Sequence, residues 1–177
     1  MTMVTGLVFD LPRAAWMDTV ARLRERHEPA RLRFPVEITV AGSSGLGWFS
    51  EHQTSVELVK RVAQVAQGFP PFAFRFASVE RFPDSGVYYL APHDDAAFHE
   101  FQRRLAGCGL RFEPTQYAYV PHCTVAILAP DATAEAHAEV KACAVPVGEL
   151  QVSSVSFWSV DRARGVAQKG ECIALGN

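Results

Sequence analysis

Two short stretches of this chain pair an ionisable side chain with a hydroxyl two residues on. In Pro121-His122-Cys123-Thr124-Val125 the pair is His122 and Thr124; in Val36-Glu37-Ile38-Thr39-Val40 it is Glu37 and Thr39. Both runs are apolar and β-branched, which favours a strand, and residues i and i+2 of a strand leave from the same face. An imidazole can give or take a proton near neutral pH, and a threonine hydroxyl can bond a phosphate oxygen. Cys123 and Val125 point into the opposite layer, so the spacing does not offer a Cys–His nucleophile pair. A glutamate at the histidine's position is a different reagent: unperturbed, it is an anion at pH 7.

Bulk properties narrow the classes. The 177 residues are 49% hydrophobic and 20% charged, ordinary for one globular domain. A formal net charge of -2 supplies no global positive field to draw in nucleic acid, although a local basic patch stays open. The longest apolar stretches fall far short of a bilayer span. The N-terminus has no basic segment leading into an apolar core, so neither a membrane protein nor a secreted one is expected. Cys108, Cys123, Cys143 and Cys172 are scattered without C-x-x-C spacing, which reads as free thiols in a reducing cytoplasm. The six histidines do not cluster in sequence, so no metal site is expected. Gly42-Ser43-Ser44-Gly45-Leu46-Gly47 lacks the Lys-Ser/Thr that follows a phosphate-cradling loop and reads as a flexible loop at a cleft rim.

The elements that must hold the two pairs follow from periodicity. Val4–Leu11 reads as a strand, Ala14–Arg26 as a helix with Met17, Val20, Ala21 and Arg24 along one stripe, and Phe34–Ala41 as the Glu37 strand. A helix capped by Ser50 or Thr54 runs to Gln67 and stops at Gly68 and Pro70-Pro71. Phe72–Phe82 alternates as a strand, Pro83-Asp84-Ser85-Gly86 turns, and Val87–Ala91 is the next strand. Asp94 or Asp95 caps a helix with Phe98, Phe101 and Leu105 on one face, ended by Gly107 and Gly109. Tyr117–Leu128 is the His122 strand, Asp131 caps a short helix to Cys143, and Leu150–Val160 and Gly170–Leu175 are the final strands. Strand–helix–strand thus occurs twice, each copy ending on a strand with Glu37 or His122 two residues before a threonine. The repeat predicts two pseudo-symmetric lobes of a single α+β domain over residues 1–177, with both polar pairs facing a central cleft.

On these residues the chain resembles the two-histidine phosphoesterase superfamily, which includes the LigT-like 2'-5' RNA ligases and RNA 2',3'-cyclic phosphodiesterases. His122-Cys123-Thr124-Val125, with Pro121 before it, matches that family's H-x-T/S-x motif. Glu37-Ile38-Thr39-Val40 keeps the threonine and apolar pattern of the first motif but not its histidine. The order of elements resembles the family over nearly the whole chain, as does the segment from Phe69 through Phe82 and the turn to Val87-Tyr88-Tyr89-Leu90. The resemblance implies two lobes of antiparallel sheet with helices on the outer faces. It also implies cofactor-free, metal-independent chemistry on 2',3'-cyclic or 2'-5' phosphodiesters, with a nucleotide or RNA terminus as the partner and no obligate protein partner. One motif histidine would activate water and the other protonate the leaving ribose oxygen. Thr39 and Thr124 would then hold phosphate oxygens, and His122 would be the remaining acid or base.

Glu37 admits three roles. It could act as base with imidazolium His122 as acid, it could be protonated if burial raised its pKa, or it could pair with His122 and leave the site inert. Tyr117 and Tyr119 share the His122 face if the strand runs unbroken, and could stack a base. Tyr89, Arg75 and Arg33 are further candidate substrate contacts. Against these stands ordinary structure: tyrosines two apart on a strand usually pack, and arginines usually face solvent. The competing functional reading is a nucleotide- or RNA-binding module that uses the same cleft without turnover.

Overall fold

The computed structural model describes residues 3–176. Along them run β1 (Met3–Phe9), α1 (Trp16–His27), a 3-10 turn (Pro29–Arg33), β2 (Ile38–Ala41), α2 (Ser55–Gln67), β3 (Phe72–Phe74) and β4 (Phe76–Arg81). Then follow β5 (Val87–Pro92), α3 (Ala96–Ala106), β6 (Cys123–Ile127), α4 (Ala134–Lys141), β7 (Leu150–Val152), β8 (Ser154–Asp161) and β9 (Val166–Ala174). None of these helices is long and apolar enough to cross a membrane.

All strand pairings between these elements are antiparallel. One sheet has the order β2-β1-β8-β9, another β4-β5-β6, and β3 pairs with β7. The larger sheets are built alike: β2-β1-β8 corresponds to β6-β5-β4, with α1 joining β1 to β2 and α3 joining β5 to β6. The α+β, two-sheet architecture is therefore the one the repeat predicts. Two expected strands are broken. Phe72–Phe82 divides at Arg75 and Leu150–Val160 at Ser153, so that one half of each pairs in β3–β7 and the other half enters a larger sheet. The ladders of β2 and β6 start only at Ile38 and Cys123, after prolines that have no N–H to donate. Thr54, not Ser50, caps α2 by accepting from the Glu57 N–H at 3.2 Å. Thr133, not Asp131, caps α4 by accepting from Ala136 at 3.3 Å.

The helices cross over. α1 packs on β6 and α3 on β2, so each covers a strand of the other unit. Phe98, Phe101 and Leu105, the expected apolar face of α3, are all fully buried. Phe98 meets Phe9, Phe72 and Phe74 edge to face at 5.2, 5.0 and 5.1 Å, and one apolar cluster runs through both large sheets.

β2 and β6 are edge strands of their sheets and lie beside each other. An edge leaves backbone groups without ladder partners, and here side chains take them. Arg24 of α1, 2% exposed, donates to the carbonyls of Thr124 (2.6 Å) and Val125 (3.2 Å) on β6. The same guanidinium donates to Phe34 and Pro35, ahead of β2, both at 3.1 Å. Glu28 accepts from the Ile127 N–H at 2.8 Å. On the other side, Gln102 of α3 donates to the Val40 carbonyl at 3.3 Å, and the Tyr119 hydroxyl to Thr39 at 3.1 Å.

The repeat extends to a backbone irregularity. Val8 pairs with Thr39 but Leu7 with Ala41, skipping Val40; Tyr89 pairs with Thr124 but Tyr88 with Ala126, skipping Val125. A bulge thus follows each motif threonine by one residue, and the bulged carbonyls of Val40 and Val125 are the ones that accept from Gln102 and Arg24.

Arg24→Ala strands the buried Thr124 and Val125 carbonyls of β6 and the part-buried Phe34 and Pro35 carbonyls ahead of β2, opens a void, and should cost about 3–5 kcal/mol in chemical denaturation. Gln102→Ala, which frees one carbonyl, should cost about 1 kcal/mol. An Arg24→Ala protein as stable as its Gln102→Ala counterpart would mean that the guanidinium is not what joins the edges.

Candidate functional site

His122 immediately precedes β6 and is half-buried. Its Nδ1 lies 2.6 Å from the Val120 carbonyl. A carbonyl only accepts, so Nδ1 carries the hydrogen and Nε2 is left as the ring's acceptor. Phe82 and Tyr89 meet the imidazole edge to face at 5.0 and 5.2 Å. Burial pulls the His122 pKa below its ordinary value, Arg31 adds to this, and the Val120 bond opposes it. The neutral ring is therefore the resting form at pH 7.

Glu37 holds the equivalent position before β2. The Thr39 hydroxyl donates to its Oε1 at 3.2 Å, and its Oε2 is buried without a partner among the described residues. Burial pushes the carboxyl up to about 7, with Arg31, the Thr39 bond and Arg24 opposing. Protonated and ionised Glu37 thus coexist at neutral pH. Next to it, burial pushes the Cys123 thiol up to about 12, which makes that sulfur a poor nucleophile.

The Glu37 pair opens into a cavity whose lining does not reach the His122 pair. Glu37 and Thr39 line a space of about 320 Å³ over the β2-β1-β8-β9 sheet, with Arg31, Trp48, Trp158 and Arg162, and the lining does not include His122 or Thr124. Gly6 keeps its floor low: a Cβ there would lie 2.7 Å from the Ala41 carbonyl and 2.9 Å from the Trp48 ring. Arg31 lines this cavity beside Glu37 and Thr39. It projects from the 3-10 turn with its Nε buried and unpartnered among the described residues, and its charge lowers the pKa of both His122 and Glu37. Sequence reading passed over it for Arg33, because a short Pro-bounded turn has no period that distinguishes one arginine from its neighbour.

The other candidate contacts are placed differently from expectation. Arg33 is exposed and reaches the Arg164 carbonyl at 3.5 Å; Arg75, at the β3–β4 break, lies 3.8 Å from Glu149. Tyr117 and Tyr119 are not on the His122 strand, which begins at Cys123, so alternation does not orient them. Tyr117 is 62% exposed. Tyr119 is an anchor: its hydroxyl holds the Thr39 carbonyl, its ring meets His99 at 5.2 Å, and burial raises its pKa far above the ordinary phenol value. Tyr89 stacks on Phe82 at 4.3 Å and donates to Glu80 at 3.1 Å; burial and Glu80 push it up to about 12. Its ring therefore supports the imidazole. The Gly42–Gly47 loop is strapped rather than free: Gly45 N–H donates to Tyr117 at 2.9 Å, the Thr115 hydroxyl to Ser43 at 3.0 Å, and Glu113 N–H to Trp48 at 2.7 Å. Among the described residues no three His, Cys, Asp or Glu side chains gather as a metal-ligand set.

A family model described as the 2'-5' RNA ligase superfamily matches residues 11–164. No curated protein matches the chain in sequence. Among solved structures, TT0787 of Thermus thermophilus superposes with a TM-score of 0.63 at 16% identity, covering 98% of this chain and 99% of that one. E. coli LigT complexed with 3'-AMP superposes with a TM-score of 0.59 at 18% identity, covering 99% of both chains. At such identities the likeness is one of fold.

Because the folded Glu37 carboxyl titrates at about 7 against an ordinary 4.5, the folded state holds a proton that the unfolded chain has lost. This contribution is harmless below about pH 4.5 and turns unfavourable as pH rises through 7, by roughly 3 kcal/mol in all. Glu37→Gln should accordingly gain stability over wild type with rising pH, the gap widening between pH 5 and 8 in urea titrations. A gap that stays constant with pH would show that Glu37 is not buried against its charge.

Proposed function

The chain belongs to the 2'-5' RNA ligase superfamily, and on that premise we propose that it is a phosphoesterase acting on 2',3'-cyclic or 2'-5' phosphodiesters of nucleotides or RNA ends, without a metal. Its site would run from the cavity lined by Glu37 and Thr39 across the adjoining edge of β6 to His122, which lies outside that lining, in one bilobed domain working in a reducing cytoplasm.

The observation that carries the proposal is the pair of proton affinities. His122 is driven below its ordinary value, so its free Nε2 is a base at neutral pH. Glu37 is driven up to about 7, so it retains a proton that it can donate. Two groups whose environments separate their roles in this way are suited to acid and base work. In the proposed step His122 Nε2 takes a proton from water as the water oxygen bonds to phosphorus. The bond from phosphorus to one ribose oxygen breaks, and Glu37 gives its proton to that oxygen. Thr124 and Thr39 would bond the non-bridging oxygens, the latter after its hydroxyl leaves Glu37. A carboxyl at this position thus does what a second histidine would do, because burial has brought its proton affinity into the histidine range.

Adenosine 2',3'-cyclic phosphate incubated with enzyme and chelator tests this. Wild type should turn over with a bell-shaped kcat/KM profile: activity rises as His122 loses its proton below about pH 6.5 and falls as Glu37 ionises near 7. His122→Ala should lose ~10²–10⁴-fold. Glu37→His should keep turnover. An inert wild type that still binds the nucleotide, and that Glu37→His converts into an enzyme, would identify a binding module; three inert proteins that bind nothing would sink the activity altogether.

A further inference from the structure

A phosphodiester is an anion, and glutamate at position 37 brings no positive charge to it. Protonated it is neutral; ionised it repels. A histidine there could supply imidazolium, so in this chain the cation that steadies phosphate has to come from outside the two motifs.

Few groups could supply it. Arg24 is buried and its donors are taken by four carbonyls. Arg33 faces solvent and reaches the Arg164 carbonyl. Arg162 lines the cavity from an exposed turn. Arg31 differs from all of these. Its nearest carboxylate, Glu28, is 3.9 Å away, too far for a hydrogen bond, and its Nε has no partner among the described residues. A half-buried guanidinium with an unsatisfied donor carries an unmade hydrogen bond, which a ligand oxygen can complete. Two features aim it. Pro29 opens the 3-10 turn that carries it, and its guanidinium lies 5.8 Å from the Phe34 ring. It then lines the same cavity as Glu37 and Thr39.

We propose that Arg31 binds the phosphate of the substrate, its planar fork taking non-bridging oxygens in the cavity it shares with Glu37 and Thr39 and supplying the positive charge that the first motif lacks. The ligand class is a phosphate mono- or diester anion. The assignment rests on the phosphoesterase reading for its kinetic consequences, but not for binding.

Four proteins decide it: wild type, Arg31→Gln, Arg31→Lys and, as a surface control, Arg22→Gln, each checked by circular dichroism melting. Binding of inorganic phosphate is followed by calorimetry, and turnover of adenosine 2',3'-cyclic phosphate by kcat and KM. Arg31→Gln should raise KM and weaken phosphate binding ~10–100-fold, the loss of charge-assisted hydrogen bonds. Arg31→Lys should recover part of both, since it restores charge without the fork, and Arg22→Gln should match wild type. Wild-type KM and phosphate affinity in a folded Arg31→Gln, or in Arg31→Lys should the glutamine variant not fold, overturn the proposal. Failure of wild type to bind phosphate overturns it as well. If wild type is inert toward the cyclic nucleotide but loses phosphate binding in Arg31→Gln, the site stands and the enzymatic reading falls.

Discussion

A buried guanidinium joins the two halves of this fold. Burying an arginine is costly unless its donors are used, and Arg24 uses them on carbonyls from both sides of the join: Thr124 and Val125 on β6, Phe34 and Pro35 ahead of β2. The carbonyls gain as much as the guanidinium, because edge strands facing each other without pairing would otherwise bury backbone acceptors empty. A lysine could not span four acceptors, since its donors radiate from one point. Glu37 and His122 immediately precede these two strands, so their relative position is fixed by the same clamp. The pseudo-symmetry is functional rather than literal: Gln102 of α3, helped by Tyr119, serves β2, while Arg24 of α1, helped by Glu28, serves β6.

The exchange of histidine for glutamate at position 37 has less effect on proton chemistry than residue identity implies. Desolvation acts oppositely on acids and bases. It raises the carboxyl of Glu37 to about 7 and lowers the imidazole of His122 below its ordinary value, so that near neutral pH the carboxyl can hold a proton while the imidazole is free of one. What the exchange does alter is net charge. A carboxyl at position 37 leaves the motifs without a second cation, and Arg31 lies where that deficit falls.

What the sequence revealed divides along physical lines. Regular periodicity was legible: Phe98, Phe101 and Leu105 face the core, and Arg24 lies on the buried stripe of α1 with Met17 and Val20. The two-unit repeat was legible because both copies keep an ionisable residue and a threonine in step. Features that depend on single backbone residues were hidden. The breaks at Arg75 and Ser153 and the bulges at Val40 and Val125 leave the pattern of apolar residues intact while changing which strand is met. Tyr117 and Tyr119 were misjudged because alternation was carried past the start of the ladder. Arg31 was missed because its importance comes from the turn that aims it.

The unequal sourcing of the sheets bears on how the protein is made. β4, β5 and β6 lie within one continuous stretch of 76–127, and their covering helix α1 precedes them. β1 has to wait for β8, whose pairing runs from Met3–Asp161 to Phe9–Val155. As the chain leaves the ribosome, the histidine half has all its parts while the glutamate half still exposes β1 to any strand that will pair with it. The last strands to emerge therefore close the older half of the molecule, and a nascent chain stalled before β8 would carry an open edge where its finished form carries a cavity.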